Sequence, residues 1–117
     1  MATFSKQLLS GSTNGKAIKV AATATAGTTI HTAVSGTASF DEVWLYAHNS
    51  STGTVKLTLE WGEATAPDGN IEINIGAEGT GLVLIAPGIL LQNSLVIKAF
   101  AATTNVVTIT GYVNRIA

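Results

Sequence analysis

Charged side chains are scarce: 11% of the 117 residues are Asp, Glu, Lys or Arg, against about a quarter in an ordinary soluble domain. Cysteine is absent, which excludes disulfides and thiolate metal sites and leaves the redox compartment open. Proline occurs twice and aromatic residues make up 6% of the chain. Mean hydropathy is positive at +0.38, yet no segment reaches the roughly 18 consecutive apolar residues of a membrane-spanning helix. The net charge is −1. Lys6, Lys16, Lys19, Lys56, Lys98 and Arg115 are dispersed, so no basic stripe exists for nucleic acid or an anionic membrane, and neither is expected as a partner. The N-terminus lacks the apolar core of a secretory signal, and synthesis in the cytoplasm is the expectation.

What the chain does have is alternation. A period of two recurs after residue 16, and no window holds the i, i+3, i+4, i+7 pattern of an amphipathic helix. Ile18, Val20, Ala22 and Ala24 share one face of a first strand, and Ile30, Thr32 and Val34 one face of a second. Val43, Leu45 and Ala47 alternate with Trp44, Tyr46 and His48, and Val55, Leu57, Leu59 and Trp61 alternate with Lys56, Thr58 and Glu60. Ile71, Ile73 and Ile75 follow the turn Pro67-Asp68-Gly69-Asn70. Leu82 to Ile85 is apolar at every position and reads as a central strand covered on both sides, closed by Pro87-Gly88. Leu95, Ile97, Ala99 and Ala101 form the next strand, and a last one runs from Val106 to Arg115 with Gly111 marking a bulge or a close backbone approach. The expected fold is all-β: an eight-stranded two-sheet sandwich, jelly-roll-like, over residues 16–117. A closed barrel is the alternative.

Residues 1–15 are rich in Ser, Thr, Gly and Asn and carry Phe4, Leu8 and Leu9 as isolated apolar anchors. They read as an extended arm whose anchors dock on a neighbouring surface. If Val43, Leu45, Leu57, Leu59, Ile97, Val107 and Ile109 fill the sandwich, then Trp44, Tyr46, Val96, Phe100, Tyr112 and Ile116 point outward. Such a set exceeds the apolar patch a solitary protein usually exposes, and it reads as a subunit seam.

Catalytic constellations are thin. His31 and His48 lack a ligand partner at i, i+2, so no metal is expected, and no cofactor motif is present. Asp41, Glu42, Glu60, Glu63 and Asp68 fall at strand ends or turns and read as solvated acids rather than a glycosidase pair. The Gly76 to Gly81 stretch precedes a strand, not the helix a phosphate loop needs. Enzymatic activity is not expected, and no catalytic residue is assigned. Trp44 and Tyr46 with Trp61 on the next strand leave a glycan-stacking platform as an alternative.

Five segments, Phe4 to Ser12, Ile18 to Thr25, Thr28 to Val34, Glu60-Trp61-Gly62 and Val113-Asn114-Arg115-Ile116, together resemble a family of small β-sandwich virion proteins encoded among tailed-bacteriophage structural genes. The likeness spans nearly the whole chain. It implies a jelly-roll capsid cement or decoration protein, a homotrimer on the outer capsid surface that binds the major capsid protein and braces the head. A tail or baseplate location is the alternative within the same group. The family's markers carry no catalytic content.

Overall fold

The computed structural model describes residues 2–117. Nine strands form: β1 (Phe4–Leu8), β2 (Ile18–Lys19), β3 (Thr28–Thr32), β4 (Phe40–Asn49), β5 (Val55–Trp61), β6 (Asn70–Ile75), β7 (Val83–Leu91), β8 (Val96–Ala101) and β9 (Val107–Ile116). One 3-10 turn at Glu78–Thr80 lies before β7. Sheet A runs β1-β9-β4-β7 with β2 also on β9, and sheet B runs β3-β8-β5-β6. Apart from β1, the antiparallel pairs β2 with β9, β3 with β8, β4 with β7 and β5 with β6 are nested hairpins. A long hairpin rolled up on itself in this way is a jelly roll.

Alternation builds the core. Along β4, Asp41, Val43, Leu45, Ala47 and Asn49 are buried while the residues between them are half-exposed. Leu57 and Leu59 of β5, Ile97 and Ala99 of β8, and Val107, Ile109 and Val113 of β9 meet them from both sheets, all fully buried. Each such large aliphatic side chain contributes about 1.5–3 kcal/mol relative to exposure. Gly111 is the close approach anticipated from its position: it faces Leu45, and a Cβ there would stand 2.0 Å from the Trp44 carbonyl oxygen.

Four expectations change. The count is nine strands because residues 4–8 pair with β9 from Phe4 opposite Ile116 to Leu8 opposite Tyr112. Residues 1–15 are therefore no free arm; the described part of this segment is an edge strand and the turn that follows. The first long strand shrinks to two residues, since Ala22 and Ala24 leave the ladder. In β3 the register shifts between Thr29 and His31, which breaks the alternation and buries Ile30 and His31 side by side while Thr32 is exposed. The apolar run at Leu82 is not central. β7 is the edge of sheet A, it passes through Pro87 and Gly88 to Leu91, and its register on β4 shifts twice. Proline is tolerated there because an edge strand has one unpaired side.

The N-terminal segment closes the open side of the sandwich. After β1 on sheet A, Leu9 enters the core at 2% exposure, and Ser10 and Gly11 lie along β3 on sheet B. Gly11 N donates to Ile30 O at 2.9 Å and Thr32 N to Ser10 Oγ at 2.7 Å. A Cβ on Gly11 would meet the Ile30 and Thr29 carbonyl oxygens at 2.6 Å. The chain then returns to β9 as β2, so one short stretch guards an edge of each sheet.

Candidate functional site

Registers fix what sheet A presents to the outside. Trp44 is opposite Tyr112, which is opposite Leu8; Ile116 stands between Phe40 and Phe4; Leu84 is opposite Tyr46 and Leu90 opposite Glu42. Residues directly across a ladder share a face. The outer side of sheet A is therefore an apolar and aromatic surface four strands wide, on which Phe4, Leu8, Leu84 and Leu90 are exposed.

Around Trp44, several side chains of this surface are engaged with one another. Trp44 stacks on Tyr112 with ring centroids 6.3 Å apart and planes 12° from parallel, and the Lys6 ammonium sits 4.7 Å from the Tyr112 ring centre. Glu42 Oε1 accepts from Trp44 Nε1 at 2.8 Å and from Asn114 Nδ2 at 3.0 Å. These two donors hold the Glu42 carboxyl below its usual range. A partner that desolvates this spot strands neither the Glu42 Oε1 nor the Trp44 Nε1.

The seam residues read from the sequence do not form one surface. Trp44, Tyr46, Tyr112 and Ile116 lie on sheet A's outer face, joined by Phe4 and Leu8. Val96 and Phe100 belong to β8 and face outward from sheet B on the other side. Leu9 is buried in its own chain's core, which removes it from the outward anchors. Trp61 packs partly buried against the core and joins neither Trp44 nor Tyr46, so the three aromatics form no common platform. Phe40, Leu84 and Leu90 were missed; the signal was present in Leu82 to Ile85, whose apolar residues on both sides require covering on both.

Sheet B's outer face differs in kind. Lys56, Thr58 and Glu60 of β5 stand opposite Asn74, Glu72 and Asn70 of β6, with Lys98 and Phe100 on β8. Lys56 and Glu72 form an exposed ion pair. Glu60 is not the solvated acid its turn position indicated: it is 2% exposed beneath Ala26 and Gly27, and Oε1 accepts from Gly27 N at 2.6 Å. It lines a shallow depression of about 180 Å³ with Gly62, Glu63, Val96 and Lys98. Its free Oε2 is sealed from the surface. Asn49 at the end of β4 is fully buried, with Nδ2 donating to Gly53 O and Ile75 O.

The densest polar cluster lies between the sheets. Asp41 is fully buried, contrary to its reading as a strand-end solvated acid. Arg115 donates to it from Nε at 2.8 Å and from Nη2 at 3.1 Å, Val34 N donates at 3.1 Å, and His31 Nε2 lies 2.8 Å from Oδ2. Burial pushes the Asp41 carboxyl up, but the hydrogen bonds from Arg115 and His31 and the Arg115 charge outweigh it and leave it below the ordinary value. The same pairing raises the Arg115 guanidinium. Ser10, His31 and Asp41 recur in the order of a hydrolase triad, but Ser10 meets His31 Nδ1 through its backbone N–H at 3.0 Å while its Oγ accepts from Thr32 N. A triad requires the hydroxyl on the imidazole. The cluster ties β3 of sheet B to β4 and β9 of sheet A.

Comparison with family models, with curated proteins and with solved structures finds no match to the chain, so no residue role is carried over from a relative.

Proposed function

We propose that this chain is a structural subunit of a tailed-bacteriophage virion, a capsid cement or decoration protein that assembles with copies of itself and braces the head. The observation that carries the reading is sheet A's outer face, four strands wide, where Phe4, Leu8, Leu84 and Leu90 are exposed around the Trp44–Tyr112 stack. A monomer leaves such a surface wet at a cost, whereas subunits packed side by side or seated on a shell cover it. The family resemblance supplies the particle and the trimer. In a trimer, three copies of a modest contact raise retention on the particle through effective concentration, without any single tight site.

Light-scattering mass of the purified chain, followed by co-sedimentation with intact heads and with isolated tails, tests the proposal. A trimeric mass and retention on heads is the expected result. A stable monomer that sediments with neither particle overturns it, and retention on tails alone moves the protein to the baseplate or tail.

A further inference from the structure

We propose that the N-terminal segment is an acid-sensitive clasp, closed only while His31 is neutral. The inference is independent of the assembly reading. Ser10's backbone N–H lies 3.0 Å from His31 Nδ1. An amide nitrogen can only donate, so Nδ1 is the acceptor and the imidazole proton sits on Nε2, donating to Asp41 Oδ2 at 2.8 Å. The tautomer is thus set by its two partners.

A second proton has one place to go, Nδ1, where it points at the Ser10 N–H. The bond is lost and two donors face each other in a site where His31 is 1% exposed. Among the described residues the added charge meets no free counter-charge: Asp41 from β4 is the one carboxylate on the imidazole, and Arg115 from β9 already pairs with it. β8, which pairs with β3, places Ile97 opposite His31, while Lys98 and Glu60 line the depression on sheet B's outer surface. Among the described residues, the N-terminal segment meets the ring through the Ser10 N–H and brings no titratable side chain to it. Relief comes from the segment itself, whose remaining ties to β3 are the Gly11 N to Ile30 O bond and the Thr32 N to Ser10 Oγ bond. Lifting it frees β3's edge and loosens the adjoining β1, which carries Phe4 and Leu8.

Nitrogen-15 NMR of the imidazoles and amide hydrogen exchange across mildly acidic pH test this on the unaltered protein. At neutral pH His31 should show the Nε2–H tautomer. As it takes up a second proton, Ser10, Gly11 and Thr32 should lose about tenfold in exchange protection, corrected for intrinsic rates, the loss of one buried hydrogen bond. Core amides of Val43 and Ile109 should keep theirs. In His31→Gln, where no proton is taken up, the acid-dependent step should vanish. The clasp is overturned if His31 is protonated with Ser10 still protected, if Ser10 and the core amides lose protection together, or if His31→Gln, folded, retains the acid step.

Discussion

The two outer faces of the sandwich are made by the same alternation and end up chemically opposite. Sheet B exposes Lys56 and Glu72, with Lys98, Val96 and Phe100 half-exposed beside them and Thr58 and Glu60 buried on the same side. Sheet A turns out Phe4, Leu8, Trp44, Tyr46, Leu84, Leu90, Tyr112 and Ile116; of its charges, Lys6 lies over an aromatic ring, Glu42 is held by two donors, and Lys19 stands exposed on β2. The difference lies in the large apolar side chains, which gather on sheet A's outer face. The contrast holds provided that face is kept flat and rigid by what lies beneath it.

That proviso is where the contrast is easiest to break. Arg115→Met leaves Asp41 buried without its guanidinium under sheet A, and chemical denaturation should register a loss of about 4 kcal/mol, the usual cost of stranding a buried charge. Gly111→Val drives a side chain into the Trp44 carbonyl and should cost about 3 kcal/mol in the same assay. The faces themselves are compared by charge insertion. Leu84→Lys with Leu90→Lys should weaken self-association or particle retention by about 2 kcal/mol, read by light scattering and co-sedimentation. Phe100→Ser on sheet B should leave both unchanged. An equal effect from the two sides would erase the distinction.

Acid gives a finer test. The Asp41 carboxyl is held below its ordinary value in the fold, so the unfolded chain takes up the proton first as pH falls. The stabilisation is complete above the unfolded value near 3.8 and is lost as pH drops through the lower folded one. Asp41→Asn should flatten the stability profile in that acid window, measured by denaturation at successive pH values. The smallest effect belongs to sheet B's surface: exchanging Lys56 and Glu72 should leave stability without measurable change, because an exposed pair is screened by water and salt.

Most of the strand framework was legible because burial follows a period of two wherever a strand is regular. Val43 to Ala47, Leu57 and Leu59, and Val107 to Val113 went where their alternation sent them. β3 was not legible because one bulge buries two adjacent residues, and β7 was misplaced because its apolar outward residues imitate a doubly covered strand. The second error is informative, since within one chain only a single side of β7 is covered. Asp41, His31 and Arg115 are far apart in sequence and meet only once two sheets are stacked, so no local spacing announces them. Val96 and Phe100 were grouped with Trp44 because alternation says outward but not outward from which sheet.

The position of β9 has a consequence for biosynthesis. It lies between β4 and the pair β1 and β2, so the middle of sheet A stays vacant until the last segment of this sequence leaves the ribosome. The innermost hairpin, β5 with β6, is available early, and each outer hairpin waits for a later strand. Translation therefore yields a nascent chain whose sheet A has no outer face until β9 has been made and has closed the gap.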